Sequence, residues 1–162
     1  MNKDLNAAGE RISDVVAESV VETFNSMFGQ DVSNVHWKPN LTPDNIVMSS
    51  VKLLQGRSAM DFVFRFDMRL LLQAASLIFT KEYIDNNPVH EDLACEIANI
   101  VCAKVKTYLN DEGFDTEMGF PFVPKAEEAK RLMQDKVIHM HFFYKDVEKK
   151  QGVGVAVNFT VL

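Results

Sequence analysis

The sequence lacks the features that would place the protein on a nucleic acid or in a membrane. Acidic residues outnumber basic ones by 23 to 17, which gives a formal net charge of -6. A protein that follows a phosphate backbone concentrates lysine and arginine on one face, yet the densest basic run, 145–150, is interrupted by Asp146 and Glu148. The longest apolar run, 70–79, is broken by polar residues and is too short to cross a bilayer. We therefore expect no nucleic-acid partner and no membrane partner.

Cysteine is scarce as well. The 2 cysteines, Cys95 and Cys102, fall in one helical pattern. Seven residues of helix separate their Cα atoms by about 10 Å, beyond the roughly 7 Å that a disulfide spans. Free thiols in apolar surroundings are typical of a reducing compartment, and the first residues lack the apolar segment of a secretory signal. We expect a cytoplasmic protein without disulfides.

Glycine and proline are also few, at 7 and 5 residues, and no repeat or linker divides the chain. Hydrophobic residues make up 47% and charged residues 25%, which is ordinary globular usage. A chain of 162 residues is long enough to bury a core by itself. These observations predict a single domain over residues 1–162.

The hydrophobic spacing predicts a mixture of helices and strands. Apolar residues three and four apart indicate helices over 3–28, 68–79, 88–111 and 125–133. Asp67 is placed to cap the second helix, whereas Asn87 and Pro88 look like the cap and first position of the third.

Alternating apolar residues indicate strands over 31–37, 47–53, 60–66, 117–123, 137–144 and 153–161. Residues 55–58 have the composition of a hairpin turn. Strands joined by short turns favour an α+β fold, a mainly antiparallel β-sheet packed with α-helices.

The helix predicted over 88–111 has an unusual polar stripe. At about 100° per residue, Asp92, Glu96, Asn99 and Ala103 fall on one side with Lys106 close by, and apolar residues fill the remaining arc, with only Lys104 out of place. The Glu96 carboxylate can pair with a cation, and the Asn99 carboxamide can both donate and accept, as orienting a water molecule requires. Such a pair also occurs by chance on solvated helix faces, so the spacing alone does not decide between a site and an ordinary surface.

The segment from Glu91 to Asn99 contains Asp92-x-x-x-Glu96-x-x-Asn99. It resembles the Asp/Ser-x3-Glu-x2-Asn signature of the CheC/CheX/FliY family of chemotaxis phosphatases, and the order of helices and strands is similar over nearly the whole chain. One copy of the signature is present, which resembles CheX more than the two-site CheC. Family members often have glycine four residues after the asparagine, where this chain has Ala103.

The resemblance implies a specific activity. Similar proteins remove phosphate from the aspartyl-phosphate of a phosphorylated CheY-like response regulator. Asn99 would hold the attacking water and Glu96 would pair with the regulator's lysine, while Asp92, Ala103 and Lys106 would contact the partner. No cofactor is expected on this chain, because Mg²⁺ would come bound to the regulator. A homodimer with a sheet continued across two subunits is also implied, and the terminal hairpin is expected to supply the free edge.

Two alternatives remain open. The chain could be a non-enzymatic flagellar-switch or scaffold module that binds a regulator without hydrolysing its phosphate. It could also be a small-ligand sensor, although the sequence offers no convergent polar pocket.

Two further segments are open to a functional interpretation. His139 and His141 share one face of a strand and could be half of a metal site, but no further ligand has suitable spacing, so we expect no metal. The loop 120–124 could contact a partner, although we expect its aromatic residues to lie in the core.

Overall fold

The computed structural model describes the backbone of residues 9–36, 43–132, 137–146 and 151–160, and the side chains of 11–36, 44–132 and 140–143. The described part contains five α-helices: α1 (Gly9–Phe28), α2 (Met68–Ser76), α3 (Lys81–Asn86), α4 (Val89–Asp111) and α5 (Ala126–Leu132). Its six strands are β1 (Ser33–Val35), β2 (Ile46–Gln55), β3 (Ser58–Asp67), β4 (Thr116–Met118), β5 (Val137–Asp146) and β6 (Gln151–Thr160). The predicted α+β class is confirmed.

The strands form one antiparallel sheet in the order β1-β5-β6-β3-β2-β4. Strands β2 and β3 make the predicted hairpin, in which Gln55 pairs with Ser58. Gly56 occupies the turn at a φ of 58°, a left-handed conformation that glycine adopts without steric cost.

The terminal hairpin does not provide the free edge that we expected. Strand β6 lies between β5 and β3, and β5 pairs on its other side with β1, where Ser33 faces Phe143. Among the strands that the structure describes, the edges are β1 and β4. The expectation was wrong because it followed chain order, whereas β6 pairs with β3, a strand about ninety residues earlier.

The core lies between the sheet and the helices. Alternate residues of β3 (Phe62, Phe64 and Phe66) are fully buried, and each contributes roughly 2–3 kcal/mol by removing its ring from water. Helix α4 packs on β2 and against α1 and α2. The Ser49 hydroxyl of β2 donates a 2.7 Å hydrogen bond to the carbonyl of Ala94, which fixes the first turns of α4 over the start of β2.

The capping predictions have different outcomes. Asp67 does cap α2, since its carboxylate accepts from the backbone N–H of Arg69 at 2.9 Å and also pairs with the Arg69 guanidinium at 2.7 Å. Asn87 does not cap α4; its side chain donates to the Tyr83 carbonyl at 2.9 Å and so closes the preceding helix. The sequence had no apolar repeat to reveal α3, which buries no residue.

Several predicted boundaries also move. Helix α2 ends at Ser76, three residues early, and α5 covers Ala126–Leu132. The strand predicted over 117–123 is reduced to β4 and one bridge between Ser50 and Phe122. Proline at 121 cannot donate to the ladder, so regular pairing stops there. The ends of the other predictions, residues 3–8, 37, 133 and 161, lie outside the described residues.

Candidate functional site

Helix α4 brings the five predicted site residues to one face. Its opposite side is buried by apolar residues: Leu93, Ala94, Ile97, Ala98, Val101, Cys102, Val105 and Leu109. Asp92 and Glu96 are exposed, while Asn99, Ala103 and Lys106 are partly buried. We refer to these five residues as the α4 stripe. The predicted stripe is confirmed as a surface feature of a helix whose position is fixed by the core.

The exposed face of α4 is wider than predicted. Cys95 and Ile100, which flank the stripe, are also partly exposed, because α1, α2 and the sheet pack on the other sides of α4. Lys104, the charged residue that did not fit the predicted apolar arc, lies at the border with α1. Its ammonium group is 3.1 Å from the Glu22 carboxylate of that helix.

Glu96 and Asn99 are unpaired within the described part of the chain. Neither side chain makes a hydrogen bond or ion pair with any residue that the structure describes. Other asparagines bond within the chain: Asn25, Asn86, Asn87 and Asn110. The carboxylate of Glu96 and the carboxamide of Asn99, one turn apart on a rigid helix, are therefore available to an external partner.

The thiol nearest the stripe is not activated. Burial raises the pKa of the Cys95 thiol, and the carboxylates of Asp92 and Glu91 raise it further. Burial alone raises the pKa of Cys102 well above its ordinary value. Because the thiolate is the nucleophilic form, neither cysteine is suited to covalent catalysis near neutral pH.

The described residues contain no cluster of three or more histidine, cysteine, aspartate or glutamate side chains that could hold a metal ion. The side chain of His139 lies outside the described residues, so the arrangement of His139 and His141 stays untested. Within the same described residues, no helix is long and apolar enough to cross a membrane. Within the stripe, the Glu96 carboxylate and the Asn99 carboxamide are a pair suited to binding a cation and a water molecule.

Sequence reasoning missed two exposed apolar features. Phe120, expected in the core, has 93% of its surface exposed, and only Phe122 of the same loop pairs with the sheet. Leu77 and Ile78, expected within a helix, lie exposed after α2 ends at Ser76. Nothing in the sequence indicated that α2 ends at Ser76, because Leu77 and Ile78 continue the apolar run of the helix.

Several solved structures share this fold. A CheX chemotaxis protein from Vibrio vulnificus is 18% identical, with a TM-score of 0.65 over 93% of this chain and 99% of that one. The CheX–CheY–BeF3–Mg complex from Borrelia burgdorferi is 16% identical, with a TM-score of 0.63 over 93% and 97%. A FliM middle domain from Vibrio alginolyticus is 12% identical, with a TM-score of 0.55 over 92% and 90%. At these identities the likeness defines a fold class, that of CheC-like chemotaxis proteins.

The family follows from the sequence itself. The family model described as chemotaxis phosphatase CheX matches residues 47–143, which is more than half of the chain and includes the whole of α4. This chain belongs to the CheX family. No curated protein matches the sequence.

Proposed function

We propose that this protein is an aspartyl-phosphate phosphatase that dephosphorylates a CheY-like response regulator in chemotaxis or related two-component signalling. The observation that carries the proposal is the pair Glu96 and Asn99, which bonds to no described residue and lies on the open face of α4 in a member of the CheX family. The similar Borrelia burgdorferi structure contains CheY with BeF3 and Mg, which supports the same class of partner for this chain.

Asn99 orients the attacking water. Its carboxamide oxygen accepts a hydrogen bond from the water, which places the water's lone pair in line with phosphorus. The new P–O bond forms as the bond from phosphorus to the aspartate oxygen breaks, and the regulator's carboxylate is the leaving group. Holding the water in this geometry lowers the barrier by several kcal/mol without a covalent intermediate on this chain.

Glu96 docks the helix over the phosphoryl group. Its exposed carboxylate pairs with the active-site lysine of the regulator, which fixes α4 at the distance at which Asn99 works. Mg²⁺ belongs to the regulator, where it neutralises phosphate charge; this chain supplies no ligand to it.

The remaining residues of the α4 stripe contact the regulator. Ala103 is partly buried and small, so the partner surface can approach α4 closely at that point. Lys106 makes no ion pair with a described residue and is available to an acidic group of the partner. Asp92 lies in the first turn of α4, where its charge also favours the helix dipole.

The protein acts in the cytoplasm, where response regulators are phosphorylated, and it works as a homodimer. Strand β1 or β4 would supply the subunit contact, since these are the edges among the described strands. Light scattering at micromolar concentration should give twice the 18.4 kDa chain mass. A single species of 18.4 kDa would remove the dimer while leaving the catalytic proposal unaffected.

The decisive experiment times the loss of phosphate from a phosphorylated CheY-type receiver domain with and without the protein. Wild type should accelerate the loss, and Asn99→Ala should return it to the regulator's own rate. Acceleration by Asn99→Ala equal to wild type would end the proposed mechanism.

A second candidate is a flagellar-switch or scaffold module, which the shared fold with the FliM middle domain favours. Such a module would bind the regulator and leave its phosphate intact. Binding of the phosphorylated receiver domain with no faster loss of phosphate would establish this alternative.

A further inference from the structure

Ile100 is the large apolar side chain of α4 that the described core leaves out. It is partly exposed, and it neither belongs to that core nor packs against it. The other large apolar side chains of the helix do one or the other: Val89, Leu93, Ile97, Val101, Val105, Tyr108 and Leu109. A single exposed apolar residue is ordinary on a protein surface, so its position decides what it can do.

The position of Ile100 follows from the geometry of the helix. Glu96, Ile100 and Lys104 are four residues apart along α4, so they form one row in which each side chain neighbours the next. The Cβ atoms of such neighbours lie about 5–6 Å apart. Ile100 therefore borders Glu96 directly, because both belong to the same helix.

The far end of this row meets α1. The ammonium group of Lys104 lies 3.1 Å from the Glu22 carboxylate of α1, and the two helices pack against each other. This ion pair balances the charge of Lys104. A partner's lysine that approaches Glu96 therefore meets an apolar side chain beside the carboxylate and, one turn further, a lysine whose charge is already paired.

An apolar contact beside a charge pair changes the strength of that pair. Covering Ile100 removes water from the neighbourhood of Glu96, and a charge-assisted hydrogen bond is stronger where the local dielectric constant is low. Interfaces take most of their affinity from a few contacts around which other groups exclude water. The α4 stripe itself contains no large apolar side chain, so on the open face of α4 this role falls to Ile100.

We propose that the response regulator covers Ile100 when its lysine pairs with Glu96, and that this apolar contact excludes water from the pair. The inference rests on the proposed function. The regulator is the occupant because a lysine that reaches Glu96 brings the surface around it into contact with a side chain only about 5–6 Å away. A second copy of this chain on Ile100 would instead obstruct Glu96.

The test compares Ile100→Ala with a matched control, Leu54→Ala. Leu54 is 39% exposed, and because its neighbour Leu53 is buried in the core, Leu54 lies on the face of the sheet away from α4. Each variant is titrated with a CheY-type receiver domain carrying BeF3 and Mg²⁺ at its aspartate. Ile100→Ala should bind about five- to tenfold more weakly and raise KM for the phosphorylated domain similarly, with kcat within about twofold of wild type. Leu54→Ala should bind like wild type.

A double-mutant cycle with Glu96→Ala tests the exclusion of water. Removing the Glu96 carboxylate should weaken binding about threefold less in the Ile100→Ala background than in wild type, because the pair is already hydrated there. Ile100→Leu keeps an apolar side chain of the same volume and should retain most of the wild-type affinity.

Unchanged affinity in Ile100→Ala, an equal loss in Leu54→Ala, or additive effects in the cycle would overturn the inference. A change in the oligomeric mass of Ile100→Ala would also overturn it, by assigning Ile100 to a contact between copies. Failure of Ile100→Ala to fold would do the same, since Ile100 would then belong to the core. Wild type that binds the receiver domain without hydrolysing phosphate, together with weak binding by Ile100→Ala, would refute the proposed function and leave the contact standing.

Discussion

Two asparagines of α4 differ in what their side chains bond to within the described residues. Asn110 and Asn99 lie three turns apart on nearly the same face of the helix. Asn110 accepts from the backbone N–H of Thr116 at 2.8 Å and donates weakly to its carbonyl at 3.5 Å, so it ties the end of α4 to β4. Asn99 bonds to no described residue, yet it is the less exposed of the two. Exposure alone would select Asn110 as the candidate site residue; what distinguishes Asn99 is that its hydrogen-bonding groups bond to no described residue.

The largest effect is expected from Asn99→Ala. Loss of the water-orienting amide should reduce the accelerated dephosphorylation by about 100-fold or more, to the regulator's own rate. Binding of the BeF3-bearing receiver domain should stay within about threefold of wild type. The free energy of unfolding should change by less than about 0.5 kcal/mol, since no internal bond is lost and alanine favours helix. A stability loss as large as that of Asn110→Ala would make Asn99 structural and erase the contrast.

Glu96→Ala should weaken both binding and turnover. A charge-assisted pair at an interface contributes about 1.5–3 kcal/mol, so the affinity for the receiver domain should fall roughly ten- to a hundred-fold. Added salt should weaken wild-type binding more than that of the variant. The control is Glu91→Ala, an exposed carboxylate of the same helix that lies off the stripe. Equal losses in the two variants, measured by titration calorimetry, would indicate only a general charge effect.

Asn110→Ala tests the structural half of the comparison. It leaves the Thr116 N–H without its acceptor, which should lower the free energy of unfolding by about 1 kcal/mol in urea titrations. Dephosphorylation by the folded variant should equal that of wild type. Reduced turnover without reduced stability would instead place Asn110 in the docking surface.

The smallest effect concerns the thiols. Because the pKa of Cys95 is raised, the thiolate form is rarer at neutral pH than in a free cysteine, and alkylation by iodoacetamide should be slower. Its rate should begin to rise only at a higher pH than that of a model thiol. Cys102 is buried and should react only after unfolding. Rapid labelling of Cys95 at neutral pH, followed by mass spectrometry, would contradict the raised pKa. If alkylated Cys95 prevents dephosphorylation, the reason would be that the added group crowds Glu96, and not that the thiol is catalytic.

Much of the fold could be predicted from local patterns. The β2–β3 hairpin was predicted from apolar and polar residues that alternate on both sides of a glycine turn. Helix α4 was predicted from the spacing of its apolar residues. The Asp67 cap was predictable because an aspartate directly before an apolar helix can accept a hydrogen bond from a free backbone N–H of the first turn. Helix α3 was not predictable, since only Ile84 of its six residues packs against the core and one residue leaves no periodic signal.

The residues of the candidate site were predicted from the sequence, but the groups around them were not. Spacing placed Glu96 and Asn99 on one face, and the resemblance to a family gave that face a meaning. No spacing rule could say that Asn99 bonds to no described residue whereas Asn110 bonds to Thr116. That difference depends on where β4 comes to lie.

The sequence by itself determined the helical face that carries Asp92, Glu96 and Asn99. Each residue of a helix is rotated by about 100° from the one before it, so the spacing in the chain fixes which side chains share a face. Tertiary structure alone decided that β6 lies inside the sheet, that Lys104 pairs with Glu22, and that α2 packs on α4. The physical reason is the range of the interactions. Helix periodicity acts within a few residues, whereas strand pairing and helix packing join segments that are distant in the chain, where many arrangements satisfy the same local pattern.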